Sequence, residues 1–222
     1  MRTYNELNTF LEWTREEKDH FSVNVIKGLI MDGIRKANSG HPGGAMSSAD
    51  FAYILFSKIL KLDPDNPDWV NRDRFVLSAG HESMLLYSLL FMNGWMQMDD
   101  IKSFRQLNSL TPGHPEVELP GVECTTGPLG QGVGMGVGMA VAEAILNHLF
   151  EDKKTPNPVN HYTYILAGDG DLQEPIVFGA AALAGHWKLA KIIMYYDSND
   201  AQISGKIGRS DSTDYAGVFE AL

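Results

Sequence analysis

Two short apolar runs in the second half of the chain have the pattern of buried strands. Residues 161–167 and 191–196 are rich in β-branched and aromatic side chains, and residues 175–189 between them are rich in alanine and favour a helix. This order predicts a βαβ unit. Its right-handed crossover would place the two strands parallel, side by side or nearly so, with the loops that follow them at the same edge of the sheet.

The rest of the chain continues the alternation of helices and strands. Helices are predicted over about residues 19–37, 49–60 and 83–92, a strand over residues 74–78, and a turn-rich surface connection over residues 153–158. We find no repeat, low-complexity tract or interdomain linker. The pattern therefore predicts a single domain of the α/β class.

Composition restricts the class of protein further. The chain has 222 residues, of which 44% are hydrophobic, which is enough for a sizeable core. No apolar stretch approaches the eighteen or more residues of a membrane span, and the charged start is unlike a signal peptide, so we expect no membrane partner and a cytoplasmic location. Cys124 is the single cysteine, which excludes an internal disulfide, and the net charge of −10 argues against nucleic acid as a partner.

Polar residues follow both strands of the predicted βαβ unit. Asp169 lies in Gly168-Asp169-Gly170 after the first strand, and Asn199 follows the second. With a backbone carbonyl such as that of Ala201, they form an oxygen set suited to Mg²⁺ or Ca²⁺, completed by phosphate oxygens and water. Gly170 would let the backbone approach a diphosphate. The alternative is ordinary turn chemistry, in which Asp-Gly and Asn are common.

A glycine-rich segment precedes the apolar residues 139–146. Glycine occupies positions 127, 130, 132, 134, 136 and 138, and the early glycines can open a helix. No Lys-Ser or Lys-Thr follows, so this is not the loop of a P-loop NTPase. Residues 127–130 are interpreted as a ligand-binding loop. Residues 132–138 are interpreted as glycines that allow close helix packing.

Several motifs, in their order along the chain, carry a resemblance to the transketolase family. They are Ser39-Gly-His-Pro-Gly43, Asp73-Arg-Phe-Val-Leu-Ser78, Gly80-His81, Phe104-Arg-Gln-Leu107, Thr111-Pro-Gly-His-Pro-Glu116, Thr126-Gly-Pro-Leu-Gly-Gln-Gly132 and Gly168-Asp-Gly170. The resemblance extends from about residue 19 to the last residue. It implies a thiamine-diphosphate-binding fold, with a parallel sheet flanked by helices on both faces.

The resemblance also implies an activity and its partners. Transketolases transfer a two-carbon ketol unit from a ketose phosphate to an aldose phosphate, using thiamine diphosphate and a divalent metal. Compared with the family, residues 1–222 would be a single diphosphate-binding domain whose C-terminal part is missing. The glutamate that activates the cofactor lies in the family's following, pyrimidine-binding domain and comes from the other subunit. We therefore expect a homodimer or a companion chain, and inactivity of this chain alone.

Individual site residues are also implied by the resemblance. His41 and His114 are expected to contact the substrate as catalytic residues. The expected cofactor-binding residues are His81, Gly127, Leu129, Asp169, Gly170, Glu174 and Asn199, and the expected metal ligands are Asp169, Asn199 and the carbonyl of Ala201. For Glu174, which would lie near the subunit interface, a carboxylate favoured at a helix start is an equal alternative.

Some residues depart from the family pattern. Asp171 adds a second carboxylate beside the expected metal ligand, Asp200-Ala201 replaces a more usual Gly-Ile, and Glu82 is unusual where it stands. Three alternatives stay open: a related thiamine enzyme such as dihydroxyacetone synthase, deoxyxylulose phosphate synthase or a ketoacid dehydrogenase component; a non-catalytic assembly module; and, for the chain itself, one subunit of a split enzyme instead of a truncated piece.

Overall fold

A three-stranded parallel sheet forms the centre of the computed structural model, which describes residues 2–151, 155–202 and 205–222. The strands are β1 (Arg74–Leu77), β2 (Thr163–Gly168) and β3 (Ile192–Asp197), in that spatial order. Gly168 pairs with Asp197, so β2 and β3 end level with each other. The two predicted strands of the βαβ unit are therefore confirmed, as direct neighbours.

Helices surround this sheet. Their bounds are α1 (Arg15–Ala37), α2 (Pro42–Ser47), α3 (Ala49–Ile54), α4 (Ser83–Met92), α5 (Met98–Lys102), α6 (Gln131–Leu149), α7 (Asp169–Leu172), α8 (Pro175–His186) and α9 (Tyr215–Ala221). A π-helical turn, Leu55–Ile59, continues α3, and 3₁₀ turns span Tyr4–Glu12, Gly80–Glu82 and Ile207–Arg209. The connection predicted over residues 153–158 begins outside the described residues.

Most predicted helices are confirmed with small shifts at their ends. The first helix begins at Arg15 and not near residue 19, because Thr14 caps it. The Thr14 hydroxyl accepts a hydrogen bond from the Glu17 N–H at 3.2 Å, and the Glu17 carboxylate accepts one from the Thr14 N–H at 2.9 Å. This capping box satisfies two backbone donors that a helix start would otherwise leave unpaired.

Apolar side chains of the sheet alternate between two cores. The side chains that face α1, α3 and α4 are Phe75, Leu77, Tyr164 and Leu166. Those that face α6, α8 and α9 are Val76, Ile165 and Ala167. Because both faces are covered, β2 is buried along its whole length and its sequence is almost entirely apolar. The predicted parallel sheet with helices on both faces is confirmed.

The expectation that no segment reaches membrane length is corrected for α6. By length and composition alone, this helix could cross a membrane. It packs against β1, β2 and α8 instead, and the six positions buried there include Val133, Val137 and Ala140. One side of α6 thus packs on the sheet, whereas Ile145, Leu146 and Leu149 near its C-terminal end are exposed.

Candidate functional site

Asp169 and Asn199 lie together at the carboxyl edge of the sheet. Asp169 begins α7 directly after β2 and is 3% exposed, and Asn199 follows β3 by two residues. The N–H of Ala201 donates hydrogen bonds to Asp169 Oδ2 at 3.2 Å and to Asn199 Oδ1 at 3.0 Å. The side-chain oxygens of Asp169 and Asn199 therefore converge on the Ala201 N–H, as expected for residues that follow two parallel strands ending level with each other.

Neighbouring groups fix the orientation of this pair. The Tyr196 hydroxyl donates a hydrogen bond to Asp169 Oδ1, and burial, followed by this bond, raises the pKa of Tyr196 to about 12. The Asn199 amide nitrogen donates to Asp197 Oδ2 at 2.8 Å, which leaves its oxygen directed to Ala201. Sequence reasoning missed Tyr196, although its position at the end of an apolar strand placed it at this edge.

The donor set at this edge suits a hard divalent cation. Tyr196 and Ala201 bring only neutral donors to the buried Asp169 carboxylate, so a bound cation would balance its charge. Among the described residues, no three His, Cys, Asp or Glu side chains are grouped to hold a metal. Oxygens of a phosphate and of water would therefore have to complete the coordination. Ala201 offers its N–H at this point, and metal ligation by its carbonyl stays a prediction.

Asp171, the second carboxylate beside Asp169, is held by hydrogen bonds within the core. The sequence suggested a second carboxylate beside the metal ligand, but Asp171 is fully buried and turned inward. Its Oδ1 accepts hydrogen bonds from Ser78 Oγ at 2.6 Å and from the Gly130 N–H at 2.8 Å, and its Oδ2 accepts one from the Gly168 N–H at 3.0 Å. One carboxylate thus joins the ends of β1 and β2 to the glycine-rich loop.

The loop of residues 127–130 lies against α7 and α8. Gly127 and Gly130 have φ angles of 152° and 76°, which side chains with a Cβ rarely adopt. Leu129 packs on Gly170, where an added Cβ would lie 3.0 Å from Leu129 Cδ1. At Gly130, an added Cβ would lie 2.8 Å from the Cβ of Glu174. The structure therefore brings the predicted cofactor residues Gly127, Leu129, Gly170 and Glu174 into one region.

Glu174 is the residue before the first turn of α8, and Pro175 occupies that turn. The Glu174 side chain makes no capping hydrogen bond at the start of α8. Neither the interface role nor the helix-start role is tested by this geometry. Both interpretations of Glu174 stay predictions.

Glycines inside α6 differ in what surrounds them. An added Cβ at Gly132 would lie 2.5 Å from Ser78 Cα, and one at Gly136 would lie 2.5 Å from Ile165 Cδ1. At Gly134 the nearest atom would be 3.6 Å away, and at Gly138 nothing lies within 4 Å. The packing interpretation is thus confirmed for Gly132 and Gly136 only.

We predict that Gly132→Ala lowers the free energy of unfolding by about 1–3 kcal/mol, because the added methyl meets the backbone of Ser78. Gly138→Ala is the matched control in the same helix. It should raise stability by about 0.5–1 kcal/mol through helix propensity alone. Urea unfolding of both variants checks this, and equal effects at the two positions would contradict the packing assignment.

Three histidines from separate loops meet beside this region. The rings of His41 and His81 are 5.1 Å apart and nearly perpendicular, and an added Cβ at Gly127 would lie 3.3 Å from the His114 ring. Burial lowers the pKa of all three, with Arg105 lowering it further for His41 and His114, and His41 for His81. Neutral imidazoles, which can donate or accept a proton, therefore predominate at pH 7.

Arg105 is a second residue that sequence reasoning did not single out. It has a left-handed φ of 58°, and its Nη1 donates to Ser39 Oγ at 2.7 Å. An added Cβ at Gly113 would lie 2.9 Å from its Nε. The guanidinium thus lies between the loops that carry His41 and His114. Its place in the Phe104-Arg-Gln-Leu107 motif was the available signal.

Comparison with known proteins identifies the family. Residues 18–222 match the model of the family described as transketolase, thiamine diphosphate binding domain. The chain belongs to the transketolase family. The similarity to a transketolase of Geobacillus stearothermophilus is 52% identity over 205 residues, which is 91% of this chain and 30% of that protein. A transketolase of Aquifex aeolicus is 48% identical over 211 residues, 94% of this chain and 30% of the relative.

Solved transketolase structures share the fold. The structure of transketolase from Leishmania mexicana superposes with a TM-score of 0.89 at 45% identity, covering 91% of this chain and 30% of that one. A Pichia stipitis transketolase in complex with sedoheptulose 7-phosphate gives 0.88 at 41% identity, with the same coverage. The chain thus spans about 30% of the length of the transketolases it matches.

Proposed function

We propose that this chain binds the diphosphate of thiamine diphosphate through a divalent metal and, in a complete assembly, takes part in ketol transfer between sugar phosphates. The supporting observation is the juxtaposition of Asp169, Asn199 and Ala201 with the loop of residues 127–130 at one edge of the sheet. This edge lies in a chain that matches the thiamine diphosphate binding domain of transketolases.

The metal ligands in this proposal are Asp169, Asn199 and the carbonyl of Ala201. Mg²⁺ is the proposed ion, with Ca²⁺ as the alternative, because all the offered donors are oxygens. The metal would neutralise the diphosphate in a protein whose net charge is −10. Gly170 would leave room for the diphosphate, and Leu129, which covers Gly170, would meet the ring system of the cofactor.

The three histidines divide between cofactor and substrate. His81, in the turn before α4, is proposed to contact the cofactor, while His41 and His114 would exchange protons or hydrogen bonds with oxygens of the sugar. The neutral imidazoles of His41 and His114 suit this exchange, because they can donate or accept a proton. Bound thiamine diphosphate would supply the nucleophilic carbon that carries the two-carbon unit.

The proposed substrates are a ketose phosphate and an aldose phosphate. A related structure contains sedoheptulose 7-phosphate, which supports this class of substrate. The proposed partner is a second copy of a longer chain, or a companion chain, that carries the pyrimidine-binding domain with its activating glutamate. A cytoplasmic location stays a prediction.

We predict that His41→Ala and His114→Ala lower kcat of the assembled enzyme by about 100-fold or more, because each removes a proton-transfer group. Cofactor affinity should stay nearly unchanged in both. His81→Ala should weaken cofactor binding instead, and the exposed His186→Ala serves as the control. Steady-state kinetics and cofactor titration check this, and the reverse pattern would contradict the division of roles.

Complementation tests the function itself. The 222-residue chain alone should show no ketol transfer at any level of thiamine diphosphate, Mg²⁺ and sugar phosphate. Without the partner glutamate the cofactor is not activated, and without the facing domain water is not excluded. Mixing it with a chain that carries the pyrimidine-binding domain should restore turnover. Sustained turnover by the isolated chain would refute the proposal.

A further inference from the structure

Glu82 is a buried carboxyl group that the proposed function leaves without a role. It ends the 3₁₀ turn Gly80–Glu82, directly after His81, and is only 2% exposed. Among the described residues, no group forms a hydrogen bond with its Oε2. A buried polar oxygen without a hydrogen-bond partner lowers the stability of the fold, so the presence of Glu82 in this position calls for a physical reason.

The side chain of Glu82 points at Gly44 in α2. A Cβ added to Gly44 would overlap Glu82 Oε1 and lie 2.5 Å from its Cδ. Gly43, one residue earlier, has nothing within 4 Å of an added Cβ. The Glu82 carboxyl thus occupies the volume that any side chain at position 44 would need. Packing therefore requires a glycine at position 44 but not at position 43.

This contact lies between the elements that carry two of the histidines. His41 immediately precedes α2, and its ring meets that of His81. At the far end of α2, Ser47 Oγ donates to Asp197 Oδ2 at 2.7 Å, so α2 is also joined to the end of β3. The Glu82–Gly44 contact and the Ser47–Asp197 hydrogen bond therefore hold α2 on two sides.

We propose that Glu82 is a positioning residue whose carboxyl group, packed against Gly44, sets the spacing between the helix that follows His41 and the turn that carries His81. The roles of His41 and His81 come from the proposed function, and to that extent this inference rests on it. Its test needs neither cofactor nor activity.

The surroundings of Glu82 make this spacing sensitive to pH. His81 Nε2 lies 4.0 Å from Glu82 Oε1, and the acidic groups that act on Glu82 are Asp197 at the end of β3 and Asp171 in α7. Tyr195 of β3 is a further titratable neighbour, and its pKa is raised mainly by burial and then by Asp197 and Glu82. Burial, followed by Asp197 and Asp171, raises the pKa of Glu82 to about 8.

A proton on Glu82 therefore favours the folded packing. The unfolded carboxyl has a pKa near 4.5, so between 4.5 and about 8 the folded state holds a proton that the unfolded state has lost. The contribution of Glu82 to the free energy of unfolding should therefore fall as pH rises through this window and then level off. Above about pH 8 the carboxylate is charged, and we expect its packing contact with Gly44 to weaken.

A double-mutant cycle tests the packing contact. Gly44→Ala should lower the melting temperature of the chain by at least about 3 °C when Glu82 is present. With Glu82→Ala, the same change should leave the melting temperature equal or raise it, because alanine is the better helix residue once the clash is gone. Gly43→Ala should have the same effect in both backgrounds.

Failure of a variant to fold is also informative. If Gly44→Ala does not fold and Glu82→Ala restores folding, the contact is supported. If Gly44→Ala changes the melting temperature equally in both backgrounds, or if Glu82→Ala fails to restore a folding defect, the inference is overturned.

Glu82→Gln separates shape from charge, since the amide keeps the volume but cannot ionise. The imidazole proton resonances of His41 and His81, followed by NMR from pH 6 to pH 10, should show a step near pH 8 in the unmodified chain. This step should be absent in Glu82→Gln, which should stay as sensitive to Gly44→Ala as the unmodified chain. A step that persists in Glu82→Gln, or no step in either protein, overturns the inference without bearing on cofactor binding.

Discussion

Asp169→Ala should abolish the metal-dependent binding of thiamine diphosphate by an assembly that contains this chain. The change removes the one carboxylate of the proposed oxygen set, and water does not replace a carboxylate at equal strength. The diphosphate would also lose the cation that neutralises it. We expect affinity to fall by more than about 100-fold, beyond the typical loss for a group that only supports a metal ligand.

Isothermal titration calorimetry of the assembled Asp169→Ala protein, with Mg²⁺ present, measures this effect. Asp99→Ala, which removes a 93% exposed carboxylate from α5, is the control and should bind normally. Unchanged cofactor affinity in Asp169→Ala would show that the metal assignment is wrong.

Asp171→Ala should have the largest effect on stability. It leaves the buried N–H groups of Gly130 and Gly168 and the Ser78 hydroxyl without their acceptor. Each unsatisfied buried donor costs about 1–3 kcal/mol, so we expect a loss of roughly 3–5 kcal/mol after local relaxation.

Urea unfolding gives this loss as a shift of the transition midpoint. Asp171→Asn is the matched variant, because the amide oxygen can still accept from Ser78 and Gly130, while the amide NH₂ faces the Gly168 N–H and cannot accept from it. It should be destabilised by an intermediate amount. A loss below about 1 kcal/mol in Asp171→Ala would mean that the loop of residues 127–130 is held by other contacts.

The βαβ unit could be predicted because its strands and helix are each encoded by the pattern of apolar residues within one continuous segment. Two apolar strands joined by an alanine-rich helix have one common arrangement, the parallel right-handed crossover. Because the loops that follow parallel strands lie at the same edge of the sheet, Asp169 and Asn199 were predicted to lie close together. The position of β1 beside β2 was beyond such reasoning. A long intervening segment separates these strands, so their pairing depends on how α4 and α6 pack.

Residues in turns were harder to assign, because a sequence does not show which way a side chain points. The sequence showed Asp171 as a second carboxylate beside Asp169 but not its direction, and three donors in the core turn out to hold it. Likewise, Glu82 stood out as unusual, but its contact with Gly44 joins segments far apart along the chain. Gly132 and Gly138 belong to one run of alternating glycines, and the contact of Gly132 with Ser78 distinguishes them in the structure.

We propose that this edge of the sheet binds a metal together with a diphosphate. Paramagnetic Mn²⁺ in place of Mg²⁺, with the ³¹P resonances of thiamine diphosphate followed by NMR, tests it most directly in the assembled protein. We predict strong broadening of the diphosphate resonances with unmodified Asp169 and none beyond that of free Mn²⁺ with Asp169→Ala. Equal broadening in both proteins, or none with unmodified Asp169, would contradict the account.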